Sequence, residues 1–316
     1  MRRKALAGAA VWIVLAAASQ LHGMRLAIIE LLFLLGPLVV VPLGIGLAAQ
    51  SMAEKRIVFL TWLAGMLQFP AAMFASASFW LPPGKAAAIV ALPWLAYGCL
   101  IGLCGFVSML RGGFSQLKTA CVSTSFFYLP VGCAWFVASR LGLTPMGFQE
   151  PIVLLTAVHF HFAGFAAPLL AMAGASVADT RSVATQKLFR VVAIGVLAGP
   201  GLLAAGFVIG PAFKLAMACL VACSEIALSL FFLAGIRRLR PRLAQVFVAA
   251  SAASVPFAMT LAAVWAIGEF PLQPFIHLEE MARIHGTANA FGFVLCGLVG
   301  WSIADPHGQS LNRGPK

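Results

Sequence analysis

Along this chain, long apolar stretches alternate with short polar or Pro/Gly breaks, and that alternation predicts the elements. Read with the requirement of roughly 20 mostly apolar residues per bilayer crossing, the stretches fall at 5–20, 26–49, 57–79, 86–109, 115–138, 152–176, 190–209, 213–235, 243–267 and 284–304. The expected fold class is all-α: a polytopic helical membrane protein of about ten transmembrane helices. Its expected organisation is one helical domain over 1–304 and a short polar tail over 305–316. The break "GPAFK" between the seventh and eighth stretches is the tightest. The longest breaks are 139–151 and 268–283, and "GEFPLQPFIHLEEMAR" in the second reads as an interfacial segment with a short re-entrant or surface helix.

Composition agrees with this pattern. The chain of 316 residues is 62% hydrophobic and only 9% charged, where a soluble domain carries about 25% charged residues. The formal charge of +12 therefore needs no nucleic-acid partner; basic loops that fix orientation account for it. With the N-terminus placed in the cytoplasm, sixteen of the 21 Lys and Arg fall on the cytoplasmic side. Arg25, Lys85, Arg140, Lys214 and Arg283 fall outside. The expectation is a bacterial inner (cytoplasmic) membrane protein with both termini inside, and "RRLRPR" at 237–242 as an inner anchor with a secondary lipid head-group role. The start "MRRKALAGAAVWIVLAAASQ" resembles a signal peptide but reads better as an uncleaved first helix. The seven cysteines all lie in apolar stretches with no CxxC pair, as buried small hydrophobes do.

Glycine pairs four apart, Gly98/Gly102 and Gly195/Gly199, predict close helix approaches. Pro37, Pro42, Pro70, Pro130, Pro168 and Pro256 predict kinks whose freed carbonyls are satisfied inside the bundle.

Ionisable residues at membrane depth are costly and point to function. Glu30, His159, His161, Glu225 and His285 are such residues, and Asn289 shares a helix face with His285. On the expected topology Glu30 lies about one turn deep, His159 and His161 on the order of 10–14 Å below the outer end of their helix, and His285 at the outer boundary. His159 and His161 of "TAVHFHFAGF" are about 200° apart on a regular helix. They cannot both ligate one metal unless the helix is distorted. The candidate polar site is Glu30, His159, His161, His285 and Asn289, with Glu150, Glu279 and Glu280 at its rim. The open roles are metal ligation by His159, His161, His285 and Glu30, bis-histidine haem binding, acid–base chemistry, and hydrogen-bonding pins between helices. The hydroxyl run of the fifth stretch, Ser123, Thr124, Ser125 and Tyr128, lines a cavity or bonds back to helix carbonyls.

Three blocks carry a resemblance: "ELLFLLGPLVVVPLGIGL" from Glu30, "VLLTAVHFHFAGFAAPLL" from Val153 and "RIHGTANAFGFVLCGLVGW" from Arg283. Together they look like the YndJ-like membrane proteins. The resemblance implies a multi-spanning bacterial membrane protein and supplies no cofactor and no catalytic assignment. Some relatives look to carry a soluble domain after the last helix, which this sequence is expected to lack. The functional expectation is a membrane enzyme acting on a lipophilic substrate at the outer polar site. The alternatives are a transporter or ion/proton-coupled carrier using Glu225, or a structural assembly partner.

Overall fold

The computed structural model describes residues 1–21, 26–51, 55–112, 116–270 and 276–304. Ten helices form among them: α1 Arg2–Leu21, α2 Ile28–Gln50, α3 Lys55–Ala77, α4 Lys85–Gly112, α5 Leu117–Leu141, α6 Ile152–Ala178, α7 Val183–Ile209, α8 Pro211–Gly235, α9 Arg242–Glu269 and α10 Leu278–Ile303. No strand is present among the described residues. Eight helices, α2 and α4–α10, are long and apolar enough to cross a membrane. The protein is an all-α polytopic membrane protein, and each helix matches one expected stretch. The expected tail 305–316 lies outside the described residues.

Several boundaries differ from expectation, among them the start of α7 at Val183 rather than 190, and two of the differences have a clear physical cause. The seventh and eighth stretches are separated by Gly210 alone, at φ +139°. Only glycine adopts that backbone readily, and Pro211 then starts α8 in the position where a missing N–H costs nothing. At the other boundary, α10 begins at Leu278 rather than near 284, because Glu279 and Glu280 sit in its first turn, where carboxylates favour the helix dipole. That places Glu279, Glu280 and His285 on one continuous helix. The segment 271–275, part of the expected interfacial stretch, lies outside the described residues.

Packing divides the chain into two compact units, Met1–Leu169 and Leu170–Lys316. In the first, Gly98 and Gly102 of α4 lie against Cys133 and Pro130 of α5. In the second, Gly195 and Gly199 of α7 lie against Ser224 and Val221 of α8. Both glycine pairs therefore serve close approach, as small residues do where lipid supplies no hydrophobic drive between helices. Hydrogen bonds also tie helix ends to one another. Arg140 near the end of α5 donates to the carbonyls of Ser78 and Leu81 beyond the end of α3. Lys214 at the start of α8 pairs with Glu269 at the end of α9 at 2.8 Å.

Three helices are not regular. α2 widens to a π-helix over Gly36–Val40, α6 over Phe160–Ala166 and α10 over Ala288–Leu295. The i→i+5 pattern is explicit where Val41 N–H bonds Gly36 O, Ala167 N–H bonds Phe162 O and Cys296 N–H bonds Phe291 O. Widening disturbs the usual backbone pairing, and in a bilayer no water repairs the loss. A buried side chain of a neighbouring helix donates to a carbonyl in each segment. Gln68 Nε2 of α3 reaches Pro37 O at 2.7 Å, Ser125 Oγ of α5 reaches Phe165 O at 2.6 Å, and Ser251 Oγ of α9 reaches Phe293 O at 2.8 Å. All three donors are fully buried. Ser125 thus spends its hydroxyl on a neighbouring helix, neither lining a cavity nor bonding back to its own.

These bonds predict a stability pattern. Ser125→Ala, Ser251→Ala and Gln68→Leu each lower unfolding stability in detergent by about 0.5–2 kcal/mol. Ser76→Ala removes a buried bond to the carbonyl of Ala72 in the same helix and changes stability by less than about 0.5 kcal/mol. Thermal unfolding followed by circular dichroism checks the ranking; equal effects from all four would contradict it.

Candidate functional site

The polar residues of the first unit collect in two layers. The upper layer is charged and sits where helices begin and end. Glu30, in the first turn of α2, accepts the N–H of Ala27 at 2.8 Å. Glu150, just before α6, accepts the hydroxyl of Ser139 and, at 3.2 Å, the N–H of Leu154. Both carboxylates thus face helix N-termini, where the unpaired N–H groups and the dipole favour them. Arg140 near the end of α5 is only 5% exposed. Its Nη2 donates to Leu81 O at 2.7 Å and Ser78 O at 3.1 Å, and its guanidinium lies 4.7 Å from the Phe79 ring centre. Arg140, Glu30 and Glu150 lie within one another's electrostatic reach. Arg140 Nε is buried and has no hydrogen-bond partner.

An aromatic wall separates this cluster from the second layer. Phe33 stacks on Phe136 at 4.2 Å and stands 6.0 Å from Phe79, while its other neighbour is His161 at 5.2 Å. His161 is fully buried. Its ring stacks with Trp94 at 5.9 Å, and Trp94 stacks with Tyr97 at 5.0 Å. Trp94 Nε1–H donates to His161 Nε2 at 3.0 Å, and His161 Nδ1 meets Ala157 O at 2.8 Å. An indole nitrogen only donates, so Nε2 accepts and Nδ1 carries the proton. The imidazole is neutral with both nitrogens occupied. Gly132 of α5 makes room for it: a Cβ there would stand 2.7 Å from His161 Nδ1. The Tyr97 hydroxyl, beside this ring stack, is buried without a hydrogen-bond partner.

His159 lies on the opposite side of α6. It is exposed and bonds the carbonyl of Leu155 in its own helix at 3.0 Å. The expected azimuthal split of the two histidines is thus observed, with the π-helix beginning directly after His159. Within the first unit Glu30, Arg140 and Glu150 lie near one another with no direct hydrogen bond or ion pair among them, and His161 lies behind Phe33. His159 is turned away from both.

In the second unit His285 and Asn289 form a pair on one face of α10. His285 Nδ1 meets Ala258 O of α9 at 2.9 Å, and Asn289 Nδ2 donates to His285 Nε2 at 3.0 Å. This repeats the wiring of His161: a proton on Nδ1 given to a backbone carbonyl, a lone pair on Nε2 taken by a neutral N–H. Asn289 Oδ1 is buried without a partner. Glu225 is buried on α8, 4% exposed. Its neighbour in sequence Ser229 bonds Ile226 O at 2.7 Å, and Ser224 packs against Gly195. Among the described residues no three His, Cys, Asp or Glu side chains form a group that could hold a metal ion.

Sequence reasoning missed Arg140, Trp94 and Gln68. Arg140 was legible only as an outer-side positive charge; its burial depends on the turn after α3. Trp94 and Gln68 sit in apolar runs and show their roles only through partners 67 and 31 residues away.

The Trp94–His161 bond is open to a double-mutant cycle. Trp94→Phe leaves a buried nitrogen unpaired and costs about 1–3 kcal/mol of stability. Combining it with His161→Phe recovers part of that cost, giving a coupling of about 1 kcal/mol or more. Strictly additive effects in thermal or denaturant unfolding would contradict the bond.

Comparison with known proteins was consistent with the three blocks. The YndJ-like protein family matches residues 31–293, a span that begins one residue after Glu30. The chain is 27% identical over 217 residues to the uncharacterized membrane protein YndJ of Bacillus subtilis (strain 168), a match covering 68% of this chain and 38% of that protein. The chain therefore spans well under half the length of this curated relative. No solved structure matches it. Each of the three blocks contains one π-helical segment. With the family match covering most of its length, this multi-pass membrane protein belongs to the YndJ-like family.

Proposed function

We propose that this protein resides in the bacterial cytoplasmic membrane with both termini inside, and that it acts on a lipophilic molecule by acid–base chemistry at a polar site in the outer half of the bilayer. The observation that carries the reading is the cluster of Glu30, Glu150 and buried Arg140. The orphaned Arg140 Nε on one side of the aromatic wall and the orphaned Tyr97 hydroxyl on the other support it. Buried polar atoms in native proteins are nearly always paired, so each exception calls for an explanation such as a catalytic role or a bound water or ion. π-helical segments also recur at functional sites. In this reading Glu30 exchanges the proton, Arg140, held by the carbonyls of Ser78 and Leu81, holds the developing negative charge, and Glu150 stands at the rim. His161 shapes the wall. His159, His285 and Asn289 belong to the same outer half-bilayer on the charge-derived topology, with His285 and Asn289 serving as a second polar pair.

Metal or haem ligation by His159, His161, His285 and Glu30 takes second place, because His161 would first have to give up both of its ring bonds. A transport reading rests on Glu225, a carboxyl buried in the middle of α8 where ionisable groups mark proton or ion paths.

Two experiments test the proposal. Lipid extracts of cells producing wild type or Glu30→Gln at matched levels are compared by mass spectrometry. At least one lipid species changes with the wild type and not with the variant; identical extracts would sink the enzymatic reading, and stoichiometric metal or a Soret band in the purified protein would displace it by the cofactor reading. For orientation, reporter fusions at 143–149 report outside and at 236–241 inside; the reverse would overturn the topology.

A further inference from the structure

A second polar feature lies at the junction of α8 and α9. The turn Ile236–Arg238 follows α8, and Arg242 begins α9. An open recess of about 480 Å³ there is lined by Arg237, Arg240, Arg242 and Gln245. The turn is held in place from within. Leu239 is 1% exposed, and its carbonyl accepts Gln245 Nε2 at 2.9 Å and Arg240 Nη1 at 3.4 Å. Two nearby arginines are engaged elsewhere: Arg238 with Thr180 Oγ1, and Arg181 with Ala234 O at 2.6 Å. The three that line the recess are exposed, and among the described residues none forms an ion pair.

The start of α9 adds to the positive field. Its first turn holds no acidic residue, and Pro241 at the N-cap offers no side-chain cap. The positive end of a 28-residue helix dipole therefore lies beside the recess, which Arg242 and Gln245 of the same helix help to line. Orientation by the positive-inside rule needs only the charges; it does not require three arginines and a glutamine to converge on one recess.

We propose that this recess binds the phosphate of an anionic phospholipid headgroup. Guanidinium groups match phosphate oxygens in paired, planar hydrogen bonds. Both flanking helices are long and apolar enough to span the membrane, so the recess opens at a bilayer boundary, where phosphate is carried on lipid. The surface beside it is suited to acyl chains: Leu230 and Leu233 of α8, and Leu243 and Val246 of α9, are 44–64% exposed. This assignment is independent of the acid–base proposal and of which face of the membrane the junction occupies.

The test uses the full-length protein in a neutral detergent, titrated separately with phosphatidylglycerol, phosphatidylcholine and inorganic phosphate. Bound lipid is counted by native mass spectrometry, and the thermal shift is followed in parallel. Wild type retains phosphatidylglycerol in preference to phosphatidylcholine and is stabilised by it. Arg237→Gln, Arg240→Gln and Arg242→Gln each weaken retention about fivefold, and the triple variant by about tenfold or more. Arg283→Gln, on another helix end and near Glu280, leaves retention unchanged. Should the triple variant not insert, the single variants still decide, because each leaves the rest of the basic run in place. Equal retention of phosphatidylglycerol by wild type and the single variants would overturn the proposal. So would equal retention of the two lipids by wild type, and a full thermal shift from inorganic phosphate would reassign the recess to a free anion.

Discussion

The constraint on which the structure depends is the pairing of backbone carbonyls where no water can reach them. Three helices abandon the regular α-helical ladder over five to eight residues. Each does so against a buried donor from a neighbouring helix: Gln68, Ser125 or Ser251. An unpaired carbonyl in hydrocarbon costs several kcal/mol, whereas a hydroxyl or amide placed against it is itself a polar group needing a partner. Each satisfies the other. The same bonds fix helix pairs, since α2 is tied to α3, α6 to α5 and α10 to α9. The polar residues that look exceptional in an apolar sequence are in large part the complement of helices that look irregular.

The histidines follow the same logic. His161 and His285 each give the Nδ1 proton to a backbone carbonyl and receive an N–H on Nε2, from Trp94 in one unit and Asn289 in the other. A neutral imidazole serves here as a two-ended connector, donor at one end and acceptor at the other, which no other side chain offers in so rigid a form. The charged cluster differs. Glu30 and Glu150 answer helix N-termini, Arg140 answers the end of α3, and the three together retain an unpaired N–H.

Much of the architecture was legible in the sequence. Hydropathy located the ten helices of the described residues, of which eight are long and apolar enough to span a membrane, where about ten spans were expected. The glycine pairs foretold the α4–α5 and α7–α8 approaches. The azimuthal split of His159 and His161 followed from helix geometry alone. What was not legible depended on partners distant in sequence. Nothing in "LLGPLVVV" announces a π-helix, although Pro37 hinted at a disturbed ladder, and nothing in an apolar run shows that Gln68 will reach it. Arg140 looked like a topology signal because the carbonyls that bury it come from the turn after α3. The start of α10 was misjudged because Glu279 and Glu280 read as part of a separate interfacial segment with its own short helix, when they begin α10 itself, at an N-terminus where acidic residues are stable.

The most direct measurement is the carbonyl ¹³C shift of Phe293, which accepts the Ser251 hydroxyl. Labelling phenylalanine carbonyls and valine nitrogens restricts the correlation spectrum to the five Phe–Val pairs of the chain, each assignable by substitution of its valine. On replacing Ser251 by alanine, the Phe293 resonance moves upfield as its carbonyl loses the donor, while the other four stay in place. A Phe293 shift that does not respond to the loss of the hydroxyl would contradict the account.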